Sequence, residues 1–183
     1  MSVADIVLPI KQIEDFFQHS TLRLLNLDPA APQNQKRVRI NWPAKGAPAW
    51  KREEDVAFLM VEYLDDLYTR QINVVYNEID PDNARRSVSY TRVLRVNWIC
   101  YGPSSFDDAD VIRIGLLSPW MTEQLAGANM ALITDLGMPT RSPELFGGQW
   151  WERTSFYARF NEQVTRQADV PYLQSADVNI IKG

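Results

Sequence analysis

Few side chains in this 183-residue chain could do chemistry. His19 is the only histidine and Cys100 the only cysteine. A Ser–His or Cys–His nucleophile would have to use His19 as its base, and no serine or cysteine stands in a recognisable nucleophile motif for it to activate. His19 falls near the end of a predicted helix, where an imidazolium would serve the helix dipole instead. Zinc usually takes several His or Cys ligands, which this chain does not have. A single cysteine also excludes an internal disulfide and fits a reducing, cytosolic setting. Asp80 and Asp82 have the spacing that opens a calcium loop, but Arg85 stands where glycine is required and Thr91 where the bidentate glutamate belongs. An ordinary turn is the expectation there. Asp107, Asp108 and Asp110 could be imagined around Mg²⁺, yet at a helix start they more simply complement its positive end. Gly147-Gly148 belongs to neither GxxxxGK[ST] nor GxGxxG, so it cradles no phosphate. The expectation is a protein that is not an enzyme, with no catalytic residue, cofactor or metal.

The elements follow from periodicity and punctuation. Pro9 to Ser20 is predicted as a helix: Ile10, Ile13 and Phe17 share a face and Pro9 suits its first position. Asn26 to Lys36 has the turn chemistry of a loop. Arg37 to Trp42 alternates as a half-buried strand, with Val38, Ile40 and Trp42 on one face. A loop with Pro43, Gly46 and Pro48 follows, and then a strand from Val56 to Leu64. Ile72–Ile79 and Ser87–Tyr101 pair as a long hairpin around Asp80-Pro81-Asp82-Asn83, where Pro81 presets the turn and the Asx side chains cap it. Its second arm puts Leu94, Val96, Trp98 and Cys100 on one face, against Val93, Arg95 and Asn97. An arm this long is expected to project beyond the core at its tip.

Gly102-Pro103 ends that strand. Ser104 or Ser105 caps a helix to about Leu117, helped by Asp107 and Asp108. A short helix from Thr122 to Ala126, a strand from Met130 to Leu136 and a loop from Gly137 to Gln149 come next. Trp150 to Thr165 is predicted as a second long strand, with Phe156, Ala158, Phe160 and Val164 inward, and Asp177 to Ile181 as a closing one. Trp150 and Trp151 point to opposite faces, so one is buried and the other is free to anchor a partner. Runs of strands with few helices predict an α+β fold. It would have a largely antiparallel or mixed β-sheet, a long hairpin, and helices packed on one face.

The length suits one domain, residues 1–183. No run approaches the ~18 apolar residues that span a bilayer, and Asp5 with no basic lead-in argues against a secretory signal. The net charge is −4, which is not the footprint of a protein that grips nucleic acid. Fourteen arginines against five lysines, with six tryptophans and seven tyrosines, match the composition of protein interfaces.

Three stretches carry a resemblance: SVSYTRVLRVNWICYGPSSFDDADVIRIGL (Ser87 to Leu116), MALITDLG (Met130 to Gly137) and QWWERTSFYARFNEQVTRQ (Gln149 to Gln167), with SADVNIIKG (Ser175 to Gly183) after them. A long strand ends in an aromatic-Gly dipeptide and runs into an acidic-capped helix; an aromatic-Glu-Arg start later leads into an alternating strand. Together these resemble the bacteriophage neck or tail-terminator proteins. The resemblance implies a structural virion protein of the tail or neck, assembled in the host cytoplasm. It implies a hexameric ring on the head-proximal end of the tail tube, which stops tube growth and docks the head-completion or connector proteins. In contractile tails the ring also touches the sheath. DNA passes the lumen without specific binding, and no membrane is involved. The family supplies no catalytic residue. Candidate interface residues come from the hairpin tip, the Gly137–Gln149 loop and the tryptophans beside it: Asp82, Arg85, Arg86, Pro139, Arg141, Trp150 and Trp151. Two alternatives stand. One is another head–tail connector (head-completion) subunit, which would not bind tube protein. The other is a non-viral small-molecule or peptide-binding module, which a deep apolar pocket would mark.

Overall fold

The computed structural model describes residues 5–40 and 50–171. Trp42, the loop with Pro43, Gly46 and Pro48, and the closing strand predicted at Asp177 to Ile181 lie outside the described residues.

Helix α1, Ile10–Leu24, runs four residues past the predicted Ser20. Ser20, Thr21 and Leu22 are buried, so tertiary contact carries the helix through residues of modest propensity. Pro9 is the N-cap rather than the first helical residue, and Ile10 is exposed. His19 therefore lies inside the helix, exposed, and not at its end. Strand β1, Val38–Ile40, pairs parallel with β2, Val56–Leu64. The other strand pairs are antiparallel: β2 on β4 (Asn83–Tyr101), β3 (Ile72–Asp80) on β4, and β4 on β9 (Arg153–Pro171). The sheet order is β1-β2-β4-β9-β5 (β5, Met130–Ile133), with β3 also on β4 and β6 (Thr140–Arg141) on β9. The fold is α+β with a mixed, mainly antiparallel sheet.

Even-numbered residues of β4 and β9 face the helices: Leu94, Val96, Trp98 and Cys100 on one strand, Phe156, Ala158 and Phe160 on the other. Against them pack Ile13 and Phe17 of α1, Ala109 and Ile112 of α2 (Ser105–Gly115), and Met121 and Leu125 of α3 (Pro119–Gly127). The three described helices share this one core, on one face of the sheet. Trp98 is its centre: it stacks on Phe156 at 4.9 Å between centroids, meets Phe17 edge-on, and donates from Nε1 to Thr21 Oγ1 at 3.0 Å. A smaller aromatic cluster of Phe58, Tyr101, Trp50 and Trp151 covers the opposite face.

Cys100 lies wholly inside the core, and burial pushes its thiol up to about 12. A thiol reagent at pH 8 is therefore expected to leave the native protein untouched and to titrate one equivalent after denaturation. Rapid labelling of the native state would contradict this packing.

Several boundaries differ from the sequence reading. Strand β4 begins at Asn83 rather than Ser87, because β9 continues to Pro171 and gives these residues a partner: Asn83 is in register with Pro171. Only Pro81 and Asp82 remain in the turn. Ser104 is the N-cap of α2 but its side chain makes no capping bond; its backbone N–H donates to Asp55 Oδ1 at 2.8 Å. That contact sits beside Gly102, whose φ is +105° and whose missing Cβ would lie 2.5 Å from the same oxygen and 2.7 Å from Asp55 Cα. Only glycine fits this strand-to-helix corner. Helix α3 starts earlier than predicted, with Pro119 in its first turn and Ser118 Oγ accepting from Met121 N at 3.2 Å. Strand β5 is only Met130–Ile133. The loop expected at Gly137 to Gln149 holds β6 (Thr140–Arg141) on the main sheet and β7 (Glu144–Phe146), which turns into β8 (Gln149–Trp151) as a separate hairpin. Gly147 (φ 57°) and Gly148 (φ 75°) supply the left-handed turn that two-residue hairpins favour. The tryptophans thus belong to β8, and β9 starts at Arg153.

Candidate functional site

Strands β4 and β9 pair over nineteen residues each, which at about 3.3 Å per residue makes a spine roughly 60 Å long. The expected interface residues fall at its two ends, so the structure does not bring them together.

At one end β3, β4 and the last third of β9 form a three-stranded arm. Its turn is closed by Asp80, whose Oδ1 accepts from Asp82 N at 2.9 Å and Asn83 Nδ2 at 3.0 Å. Asp82 is exposed at the tip. Arg85 reaches across the strands to Asp169 at 3.0 Å, so its charge is partly spent inside the molecule. Arg86 is in register with Tyr76 and Ala168 and has no ion-pair partner among the described residues. Every residue of β3 is exposed, Ile72, Val74, Val75, Tyr76 and Ile79 included. Sequence reasoning missed this strand as a surface, although its β-branched and aromatic residues on both faces were a visible signal.

The root of the arm is pinned by a pair that sequence reasoning also missed. Glu162 is 1% exposed and sits on the helix-side face of β9. In register with it, Arg92 donates from Nε and Nη2 to the two carboxylate oxygens at 2.8 and 2.7 Å. Arg92 also donates to the Leu8 carbonyl at 3.0 Å, and Leu8 N donates to Glu162 at 3.4 Å. The N-terminal segment is thereby tied to the arm, and Ile6 adds a backbone bridge to Thr165.

At the other end lies the β7–β8 hairpin. Leu145 and Trp150 pair across it on its outer face, and Trp150 is 65% exposed. Trp151 turns the other way, 5.9 Å from Trp50 and 6.1 Å from Phe146 between centroids. The indole N–H groups of Trp50 and Trp151 have no acceptor among the described residues. Tyr101 Oη donates to Glu144 at 2.8 Å, and burial with this carboxylate beside it raises the phenol above its ordinary range. Arg141 is exposed and bonded to Glu152 at 2.9 Å. Pro139 is buried within the molecule and presents no surface, unlike the other residues of the expected set.

The groups weighed for catalysis do not converge. Asp108 pairs with Arg37, and burial raises its carboxyl against the lowering effect of that guanidinium. Asp110 lies 4.0 Å from Arg113. Among the described residues no cluster of His, Cys, Asp or Glu could hold a metal ion, and no helix is long and apolar enough to cross a membrane. An apolar cleft of about 340 Å³ between α3 and β5 is lined by Leu117, Leu125, Met130 and Leu132 and has no titratable side chain in its wall. The arrangement places two exposed surfaces at opposite ends of the β4–β9 spine.

No individual curated protein matches the chain. A family model described as phage neck terminator protein matches residues 10–183, nearly the whole length. That family is structural, its members act in the neck of the bacteriophage virion, and its match spans the helices, the arm and the hairpin described above. On this span, the chain belongs to the phage neck terminator family.

Proposed function

We propose that six copies of this chain, each a single domain, close into a ring that caps the head-proximal end of the tail tube and docks the head-completion proteins. The observation that carries this reading is the placement of two unlike exposed surfaces at opposite ends of the β4–β9 spine. A tube grows by adding identical rings, so its open end always offers the same interface. A subunit that matches that interface at one end and differs at the other stops growth. The arm end presents Asp82, Arg85 and Arg86; the hairpin end presents Arg141, Trp150 and, behind it, Trp151. Closed rings need head-to-tail contacts between unlike patches, which the sides of the arm supply. DNA passes through the lumen without specific binding, and in a contractile tail the outer wall meets the sheath. Assembly takes place in the host cytoplasm.

The experiment is electron microscopy of a lysate lacking this protein. Full heads are expected to stand apart from tails whose length is no longer set. Normal tails joined to heads would refute the assignment. Supplying Arg85→Glu/Arg86→Glu in trans is the narrower probe. Both sites are on the surface, where substitutions cost under ~0.5 kcal/mol, and the Arg85–Asp169 pair is half exposed and worth little. The double variant is expected to fold normally and to rescue poorly; full rescue would remove the arm tip from the contact.

A further inference from the structure

Among the described residues the arm has two unpaired edges, and its two faces are unlike. Among these residues strand β3 pairs only with β4, so the outer edge of Ile72–Asp80 is open to them over about 30 Å. No proline interrupts these nine residues, and the only register shift falls at the tip, between Glu78 and Asp80. On the far side of the arm, Ile6 covers β9 only at Thr165, and Asp5 takes the N–H of Gln167 at 3.1 Å. Beyond that point Asp169 shares the outward direction of Thr165 and has no backbone partner on that side among the described residues. Open strand edges of this kind are templates for another strand.

The faces differ in chemistry. Toward the helix side the arm shows Ile72, Val74, Tyr76, Val88 and Tyr90. Toward the other side it shows Asn73, Asn77, Ser87, Ser89, Thr165 and Gln167, with Val75 and Ile79 along the β3 edge. On that face Arg85 and Asp169 neutralise each other at 3.0 Å, and Asp80, in register with Asn83, adds one carboxylate at the tip. Behind the tip, a wall of hydroxyls and amides without net charge neither holds a polyphosphate backbone by counterion release nor repels it.

Strand direction selects the occupant of the open edges. Both β3 and β9 run antiparallel to β4, so they run the same way. Rotation about an axis along the arm therefore sets β9 of one copy beside β3 of the next in a permissible parallel pairing. One such contact is far smaller than the ~800 Å² per partner of a stable pair, so it gains its strength from closure rather than from dimers. Three strands from each of six arms make eighteen, a strand number at which closed barrels leave an aqueous channel; at about 4.8 Å between strands and about 40° of tilt, the wall is roughly 36 Å across. The wider five-strand bodies then sit at larger radius.

We propose that β3 of one copy pairs with the end of β9 of the next, so that six arms close into one sheet whose uncharged polar face lines the channel through which DNA passes. The proposal rests on the six-copy ring proposed above. The test uses assembled particles carrying Val75→Cys or Asn77→Cys combined with Gln167→Cys or Asp169→Cys, all on one face of the arm. After oxidation or a short bis-maleimide, at least one pair is expected to give a ladder up to the hexamer on a denaturing gel, with single variants remaining monomeric because Cys100 is buried. No ladder from any of the four pairs, in particles whose averaged images show a sixfold layer, overturns the edge pairing alone. A layer of any other symmetry overturns the ring and the closure together. Ser87→Lys/Ser89→Lys tests the lining. Particles bearing it are expected to release DNA several-fold more slowly, and unchanged release places that face outside the channel.

Discussion

Replacing Arg92 with alanine is expected to lower the unfolding free energy by about 3–5 kcal/mol, the usual consequence of removing one partner of a buried ion pair. The size follows from what remains. Glu162 is 1% exposed, and Arg92 supplies both of its strong donors. Leu8 N, at 3.4 Å, is a poor substitute. The carboxylate would be left in a low-dielectric site beside Met130 and Val164, or would have to take up a proton. The Leu8 carbonyl loses its donor in the same step. Urea titration measures the loss, and a change below about 1 kcal/mol would show that the pair does not hold the arm root. The double variant Arg92→Met/Glu162→Leu is expected to regain a substantial part, because matched apolar replacements of a buried pair are often neutral. Native-state hydrogen exchange should locate the effect: the amide of Ile6, bonded to the Thr165 carbonyl at 2.9 Å, is expected to lose protection in the single variant. Since this pair fixes the N-terminal segment against the arm, the single variant should also assemble poorly at temperatures where it is still folded.

Trp98→Ala should be equally severe, at about 3–5 kcal/mol for a fully buried tryptophan. Three separate contacts are lost: the stack on Phe156, the edge contact with Phe17, and the bond to Thr21. Thr21 is itself buried, so its hydroxyl would be stranded beside a cavity. For a chain of this size each kcal/mol moves the melting temperature by roughly 2–4 °C, so a fall of roughly 10 °C is expected by calorimetry. Trp150→Ala is the contrast. Its side chain is 65% exposed, and the substitution should change stability by no more than ~0.5 kcal/mol while weakening attachment of the next neck component. Equal melting of the two variants would contradict the division between core and contact tryptophans.

Much of this is legible in the amino-acid sequence alone. The alternation from Leu94 to Cys100 and from Phe156 to Val164 names the core face of both long strands correctly, because a pleated strand turns successive side chains to opposite sides whatever lies next to it. The Asp80–Asn83 turn, the glycine stop at Gly102 and the acidic start of α2 are local signals that held for the same reason. The lone His19 and Cys100 limit the chemistry in any fold. The order of segments and the stretches Ser87 to Leu116, Met130 to Gly137 and Gln149 to Gln167 carried the resemblance to the family that the match over residues 10–183 shows.

Tertiary structure decided what depends on neighbours. Whether β4 begins at Ser87 or Asn83 is settled by β9 reaching Pro171, far along the chain from Asn83, and no window of sequence contains both. That β3 has an open edge among the described residues, while β2, equally apolar, lies between β4 and, over Ala57–Leu59, β1, follows from strand order, on which periodicity is silent. Glu162 looks like any surface glutamate until its register with Arg92 is known. Trp150 and Trp151 could be assigned to opposite faces from sequence, but which one meets Trp50 was set by packing. Pro139, expected at the surface, is buried for the same reason. Local rules say which side chains share a face; only the closed sheet says what each face meets, because strand pairing joins residues that the chain keeps far apart.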